Sequence, residues 1–184
     1  MTISQKANIY SFQDPVPSKM YWDAGFIVSF ASKNSKYHED CANFLKILER
    51  EKVSCIVSTL ALDESWFIIL QAKIEEDFAP KSFWQVFNKD KEVIKAYIPD
   101  LKRLTTNLYR QRYVEIIGIE AEWSFSVLEN MSSFYFLPRD AYHLQAMYAN
   151  GIEHLATLDE DFVAVPNLNI YACNPSILGK KPPQ

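Results

Sequence analysis

Four carboxylates stand where a divalent cation could be held. Asp23 is embedded in the apolar run YWDAGFIVSF, Glu64 comes early in TLALDESWFIILQAKIEED, Asp140 opens LPRDAYHLQAMYANG, and Asp159 leads the triplet Asp159, Glu160, Asp161 in LATLDEDF. Each has an ordinary structural explanation. Asp140 beside Pro138 suits the positive end of a helix dipole, Asp159 suits an N-cap, and Glu64 has an acidic neighbour in Asp63, with nothing in the spacing to say which faces inward. Asp23 is the hardest to explain structurally, because an ionised carboxylate within an apolar strand is costly unless it is paired or bound to metal. Together the four form the ligand set that hard ions such as Mg²⁺ or Mn²⁺ take.

Positioning these acids falls to alternating strands and helices. The run from Tyr21 to Phe30 reads as a buried strand. The following KNSKYHEDCANFLKILEREK has Tyr37, Cys41, Phe44, Leu45 and Leu48 at helical spacing, with Asn34 or Ser35 as cap. VSCIVS (53–58) is a second strand, and TLALDESWFIILQAKIEED a second helix. From Pro80 to Arg112 apolar residues recur at three- and four-residue steps, and Pro99 divides the segment into two helices. YVEIIGI (113–119) predicts a third strand and EAEWSFSVLENMSS a helix. Pro138 starts and Asn150-Gly151 stops the next helix, followed by the strand IEHLAT and a last strand LNIYAC. Such alternation implies a mostly parallel sheet with helices on both faces, whose sites form beyond the carboxyl ends of the strands. All four acids fall just there.

At 184 residues, 48% hydrophobic, the chain suits one domain (1–184) with a core over about 20–172 and a loose tail at 173–184. No run is long and apolar enough to span a bilayer, and the first residues lack the apolar stretch of a secretory signal, so a cytosolic protein without membrane association is expected. Cys41, Cys55 and Cys173 are odd in number and widely spaced, which predicts buried thiols rather than disulfides or a metal knuckle. The net charge of −4 argues against a general nucleic-acid binder, yet between Lys81 and Arg112 eight basic residues face three acids, a local +5 that leaves −9 on the rest. A carboxylate-rich centre beside a basic flank is the implied arrangement. Trp84, Tyr97 and Tyr109 in that flank are candidates for stacking on unpaired bases.

DAGFIVSF, STLALDESWFII and LPRDAYHLQAMYANGIEHLATLDEDF together resemble the motifs of PIN-domain nucleases, the family that includes VapC-type toxins. The third block is the most specific, with its proline, acid, small residue and His-Leu pair, then an apolar strand and Thr-x-Asp-x-Asp-Phe at Thr157 to Phe162. The resemblance runs from about Met20 to Tyr171. It implies a PIN-like three-layer α/β/α sandwich in which Asp23, Glu64, Asp140 and Asp159 are the catalytic, metal-binding acids and Asp161 is a further metal-site acid at the edge. It implies a Mg²⁺- or Mn²⁺-dependent endoribonuclease leaving a 5′-phosphate and a 3′-hydroxyl, a small antitoxin as partner, and a homodimer. One departure is visible: Ala24 and Gly25 follow Asp23, where the family often carries hydroxyl or amide side chains.

A different function class stays open for that reason, a catalytically weak PIN-like module that binds RNA or a protein. A phosphoryl-accepting α/β domain is disfavoured because no Lys or Thr set accompanies Asp23. His143, one turn after Asp140, reads as a packing or hydrogen-bonding residue rather than a general base. Thr157 is placed either to hydrogen-bond a carboxylate or water of the site or to satisfy the strand end.

Overall fold

The computed structural model describes residues 6–179. Among them, six strands form one sheet in the order β1-β6-β5-β2-β3-β4, and every neighbouring pair is parallel. The strands are β1 (Asn8–Ser11), β2 (Lys19–Trp22), β3 (Ser54–Ser58), β4 (Val114–Ile117), β5 (His154–Ala156) and β6 (Asn169–Ala172). The helices are α1 (Ala24–Ala31), α2 (His38–Arg50), α3 (Thr59–Asp77), α4 (Phe83–Lys89), α5 (Ile98–Arg110), α6 (Ser124–Phe134) and α7 (Pro138–Ala149).

Strand alternation divides the core into two apolar layers, as the period of two demands. Met20, Trp22, Cys55, Val57 and Tyr171 face one way, against Phe26, Phe44 and Leu108 of α1, α2 and α5. Tyr21, Ile56, Leu155 and Ile170 face the other, against Val127 of α6 and Leu144 and Met147 of α7. The result is the expected three-layer sandwich. A smaller cluster of Ile74, Phe83, Val86 and Tyr97 seats α4 on the far part of α3.

Several local expectations are corrected. The apolar run from Tyr21 to Phe30 is not one strand: β2 ends at Trp22, and Asp23 N-caps α1 by accepting from Phe26 N at 2.7 Å. Helix and strand are both buried here, so hydrophobicity carried no period to separate them. Neither Asn34 nor Ser35 caps α2; its N-cap is Tyr37, whose backbone N–H donates to Ser35 Oγ. Cys41 and Cys55 are buried, but Cys173 is only partly so. Pro99 does divide its segment, by standing in the first turn of α5 after a 3₁₀ turn at Lys91–Ala96.

β1 joins the sheet edge beside β6 although it belongs to a polar start that suggested no strand. Of the expected tail, Asn174 and Ile177 are buried and residues 180–184 lie outside the described residues.

Candidate metal centre

Chain order and sheet order reverse on either side of β2. β3 and β4 extend the sheet to one side of it, and β5 and β6 to the other. The crevice that such a reversal opens lies beyond the carboxyl ends of β2 and β5. Asp23 follows β2 directly, and its N–H donates to Ala156 O of β5 at 3.3 Å. Thr157 and Asp159 follow β5. Glu64 arrives from the first turns of α3, which leaves β3 without a linker, and Asp140 from the first turn of α7.

Asp23, Glu64, Asp140, Asp159 and Asp161 all line one cleft of about 650 Å³, together with Gly25, Arg139 and His143. The five acids expected from the sequence are therefore brought together around one space. Glu64, rather than Asp63, faces inward: its side chain is 13% exposed against 63% for Asp63. Glu160 is exposed. Among the described residues, no three His, Cys, Asp or Glu side chains stand close enough to enclose a metal ion as they are.

Asp23 is 6% exposed and both its carboxylate oxygens are engaged. Oδ1 takes the N–H of Phe26, and Oδ2 takes the hydroxyl of Thr157. Thr157 Oγ1 in turn accepts from Asp159 N at 2.9 Å, so the turn after β5 is tied to the acid after β2. Thr157 thus serves a carboxylate of the cleft rather than only the strand end. Asp159 Oδ1 accepts from Asp161 N at 2.9 Å, bracing the turn just before the 3₁₀ turn Asp161–Ala164.

Burial pushes the Asp23 carboxyl up to about 6, against the hydrogen bonds from Thr157 and Phe26 that favour its ionised form. Asp159 and Asp140 are also raised above the ordinary carboxylate range, first by burial. Asp161, Glu160 and Glu64 add to this at Asp159, and Asp159, Glu64 and Asp161 at Asp140. Burial and mutual repulsion both disfavour the ionised carboxylates of this cleft, a cost that a cation would relieve.

Glu64 is the member with local counter-charge. Its Oε2 lies 2.7 Å from His143 Nε2, and its Oε1 lies 3.5 Å from Arg139 Nε. His143 reaches Tyr21 through its other ring nitrogen, and Tyr21 Oη lies 2.6 Å from Ser58 Oγ. Tyr21, Ser58 and Arg139 were not singled out in the sequence. Ser58 carried a signal, as the last strand residue before a helix, where serine caps. Arg139 adjoins Asp140. Tyr21 carried none, since its hydroxyl meets partners distant in sequence.

The basic flank is divided. Lys95 pairs with Glu92, and Asp100 takes both Lys73 and Arg103. Among the described residues, Lys81, Lys89, Lys91, Lys102, Arg110 and Arg112 have no carboxylate partner, and all six are exposed. Trp84 and Tyr109 are exposed as stacking would require. Tyr97 is not: it is buried and donates to Asp77 Oδ2 at 2.7 Å.

No protein-family model and no curated protein matches the chain. Solved structures do. VapC20 of Mycobacterium tuberculosis, a sarcin-ricin loop cleaving toxin, superposes with a TM-score of 0.55 at 15% identity over 79% of this chain and 93% of its own. VapBC2 from Rickettsia felis, bound to a DNA fragment from their promoter, gives 0.53 at 17% over 84% and 98%. A toxin-antitoxin complex from Klebsiella pneumoniae gives 0.50 at 14% over 85% and 97%. The chain has the PIN-like fold of the VapC toxins.

Proposed function

We propose that this protein is a Mg²⁺- or Mn²⁺-dependent endoribonuclease and the toxin of a toxin-antitoxin pair. The observation that carries this reading is the meeting of Asp23, Glu64, Asp140, Asp159 and Asp161 around one cleft at the switch of the sheet. The likeness in fold to VapC toxins supports it. The donor chemistry fits a hard divalent ion, all oxygen and all carboxylate, with three of the acids raised first by burial and then by their acidic neighbours.

Asp23, Glu64, Asp140 and Asp159 would hold the ion, with Asp161 at the edge. A divalent cation there supplies charge stabilisation to the phosphodiester and acidifies an attacking water. The chain's own part is to place oxygen donors. Phe26 N and Thr157 Oγ1 fix the two oxygens of Asp23, and Asp161 N fixes one of Asp159. Arg139, half exposed beside Glu64, is placed to meet a substrate phosphate, and the unpaired Lys and Arg of 81–112 to follow the backbone. A homodimer and a small antitoxin complete the proposal.

The test is cleavage of single-stranded and structured RNA, a sarcin-ricin hairpin included, by purified protein. Mn²⁺ is expected to support cleavage to 5′-phosphate and 3′-hydroxyl ends, EDTA to stop it, and Asp23→Asn to abolish it. Equal cleavage by wild type and Asp23→Asn would sink the assignment.

Two observations favour a second reading, a binding module of weak activity. The acids do not enclose an ion as they stand, and a Cβ at Gly25 would lie 3.5 Å from both Asp23 oxygens, the place where a hydroxyl side chain is missing. Calorimetry separates the readings: the nuclease binds Mn²⁺ in a manner that depends on Asp23 and Asp140, and the module does not.

A further inference from the structure

Three polar side chains are buried where the apolar layer under α7 would otherwise be continuous: Tyr21 and Ser58 at 0% exposure and His143 at 2%. Burial of three such groups is tolerated only when they satisfy one another. Here they do, in a chain of contacts from Ser58 Oγ to Tyr21 Oη at 2.6 Å, from Tyr21 Oη to His143 Nδ1 at 2.7 Å, and from His143 Nε2 to Glu64 Oε2 at 2.7 Å. Ser58 Oγ also accepts from Ala61 N at 3.1 Å and so caps α3, the helix that carries Glu64. The contacts thus close a ring through the α3 backbone.

Each member of that ring stands within six residues of one acid of the cleft. Tyr21 is in β2, two residues before Asp23. Ser58 ends β3 and caps the helix of Glu64. His143 is on α7, three residues after Asp140. From this juxtaposition we infer that His143, held by Tyr21 and Ser58, is a positioning residue for Glu64, fixing the carboxylate that would help hold the cation and setting the three acid-bearing segments in register. The inference rests on the nuclease reading of the cleft.

A carboxylate oxygen only accepts, so Nε2 carries the hydrogen of the bond to Glu64, and the contact of Nδ1 with Tyr21 orients the ring. His143 therefore acts through Glu64 and takes no proton from substrate. Losing the donor frees Glu64 to turn toward Arg139, whose Nε is already 3.5 Å from Oε1.

Two measurements test this on the full chain. First, Mn²⁺ affinity is measured by calorimetry in His143→Leu, His143→Gln and Tyr21→Phe. His143→Leu is expected to weaken binding by about 10- to 100-fold, in the range seen when partners of metal ligands are removed. His143→Gln, whose amide can donate from near the Nε2 position, is expected to recover most of that loss, and Tyr21→Phe to lie between. Cleavage at saturating Mn²⁺ should recover toward wild type, so that the metal requirement shifts more than the maximal rate. Wild-type Mn²⁺ affinity in a folded His143→Leu protein overturns the inference, and if that variant does not fold, Tyr21→Phe decides in the same way.

Second, the imidazole nitrogens of His143 are observed by ¹⁵N NMR in the metal-free protein. A slowly exchanging Nε2 proton whose shift moves in Tyr21→Phe and in Glu64→Gln is expected, and its absence overturns the inference. This reading needs neither metal nor RNA. A wild-type protein that binds no Mn²⁺ and cuts no RNA removes the nuclease assignment alone, and the NMR result still decides whether His143 positions Glu64.

Discussion

The hydroxyl of Thr157, just after β5, donates to Oδ2 of Asp23, just after β2, and Thr157 Oγ1 accepts from the N–H of Asp159. One side chain therefore couples two acids from neighbouring strands across the switch of the sheet. It satisfies a buried carboxylate and shapes the turn that carries the second acid.

Replacing Thr157 by Val keeps the shape and removes the hydroxyl. The expected loss of stability is about 1–3 kcal/mol, the range for a buried acceptor left without its partner. Because the Thr157 bond favours ionised Asp23, its removal should raise the Asp23 pKa further and move the acid limb of the cleavage profile to higher pH. Thr157→Ser should restore both. Urea unfolding and a pH-rate profile check this, and an unmoved acid limb in Thr157→Val would refute the coupling.

Asp23 makes stability depend on pH in an unusual direction. Its ordinary value of 3.8 is raised by burial to about 6 in the folded chain. Between about pH 4 and 6 the native state keeps a proton that the unfolded state has released. Its contribution to stability therefore falls as pH rises through that window and stays low above it. Two pKa units at about 1.4 kcal/mol each come to roughly 3 kcal/mol. Asp23→Asn should accordingly be more stable than wild type at pH 7.5 by up to that amount, with the gain gone at pH 3.5. Mn²⁺ removes the same penalty, so its affinity should rise between pH 5 and 7 with release of protons, readable as buffer-dependent heats. Equal unfolding midpoints for the two proteins at pH 7.5 would contradict the assignment.

Lys102 and Arg110, both on α5 and both without an acidic partner among the described residues, are expected to touch RNA phosphates. Each contact on a single strand adds about 0.7 to the slope of log affinity against log salt. Lys102→Gln with Arg110→Gln should lower the slope by about 1.4 while leaving Mn²⁺ binding unchanged. Anisotropy of labelled RNA with the Asp23→Asn protein measures this, and an unchanged slope would remove α5 from the binding path.

Much of this architecture was legible residue by residue. The Val53–Ser58 strand running straight into the α3 helix, the Pro138 start and Asn150-Gly151 stop of α7, and the Pro99 break are local signals, set by backbone chemistry within a few residues. The order of strands and helices followed, and with it the sites beyond the strand ends. The first strand was misread because an apolar helix, α1, follows an apolar strand with only Asp23 between them, and its nearly all-apolar sequence gives no polar face to mark the helical period. β1 was missed because an edge strand of four residues needs no strong pattern when β6 supplies its partner.

What the sequence by itself determined is the chemistry available: five carboxylates at or near the junctions of strands and helices, a basic segment, and alternating elements that imply a mostly parallel layered sheet. Such features depend on residue type and on neighbours within a turn. Only the tertiary structure decided that Glu64 rather than Asp63 faces the cleft, that Tyr97 is core while Trp84 and Tyr109 are exposed, and that Tyr21, Ser58 and His143 close a ring behind Glu64. The ring depends on contacts between groups 37 to 122 residues apart, which exist only once β2, β3 and α7 are packed together.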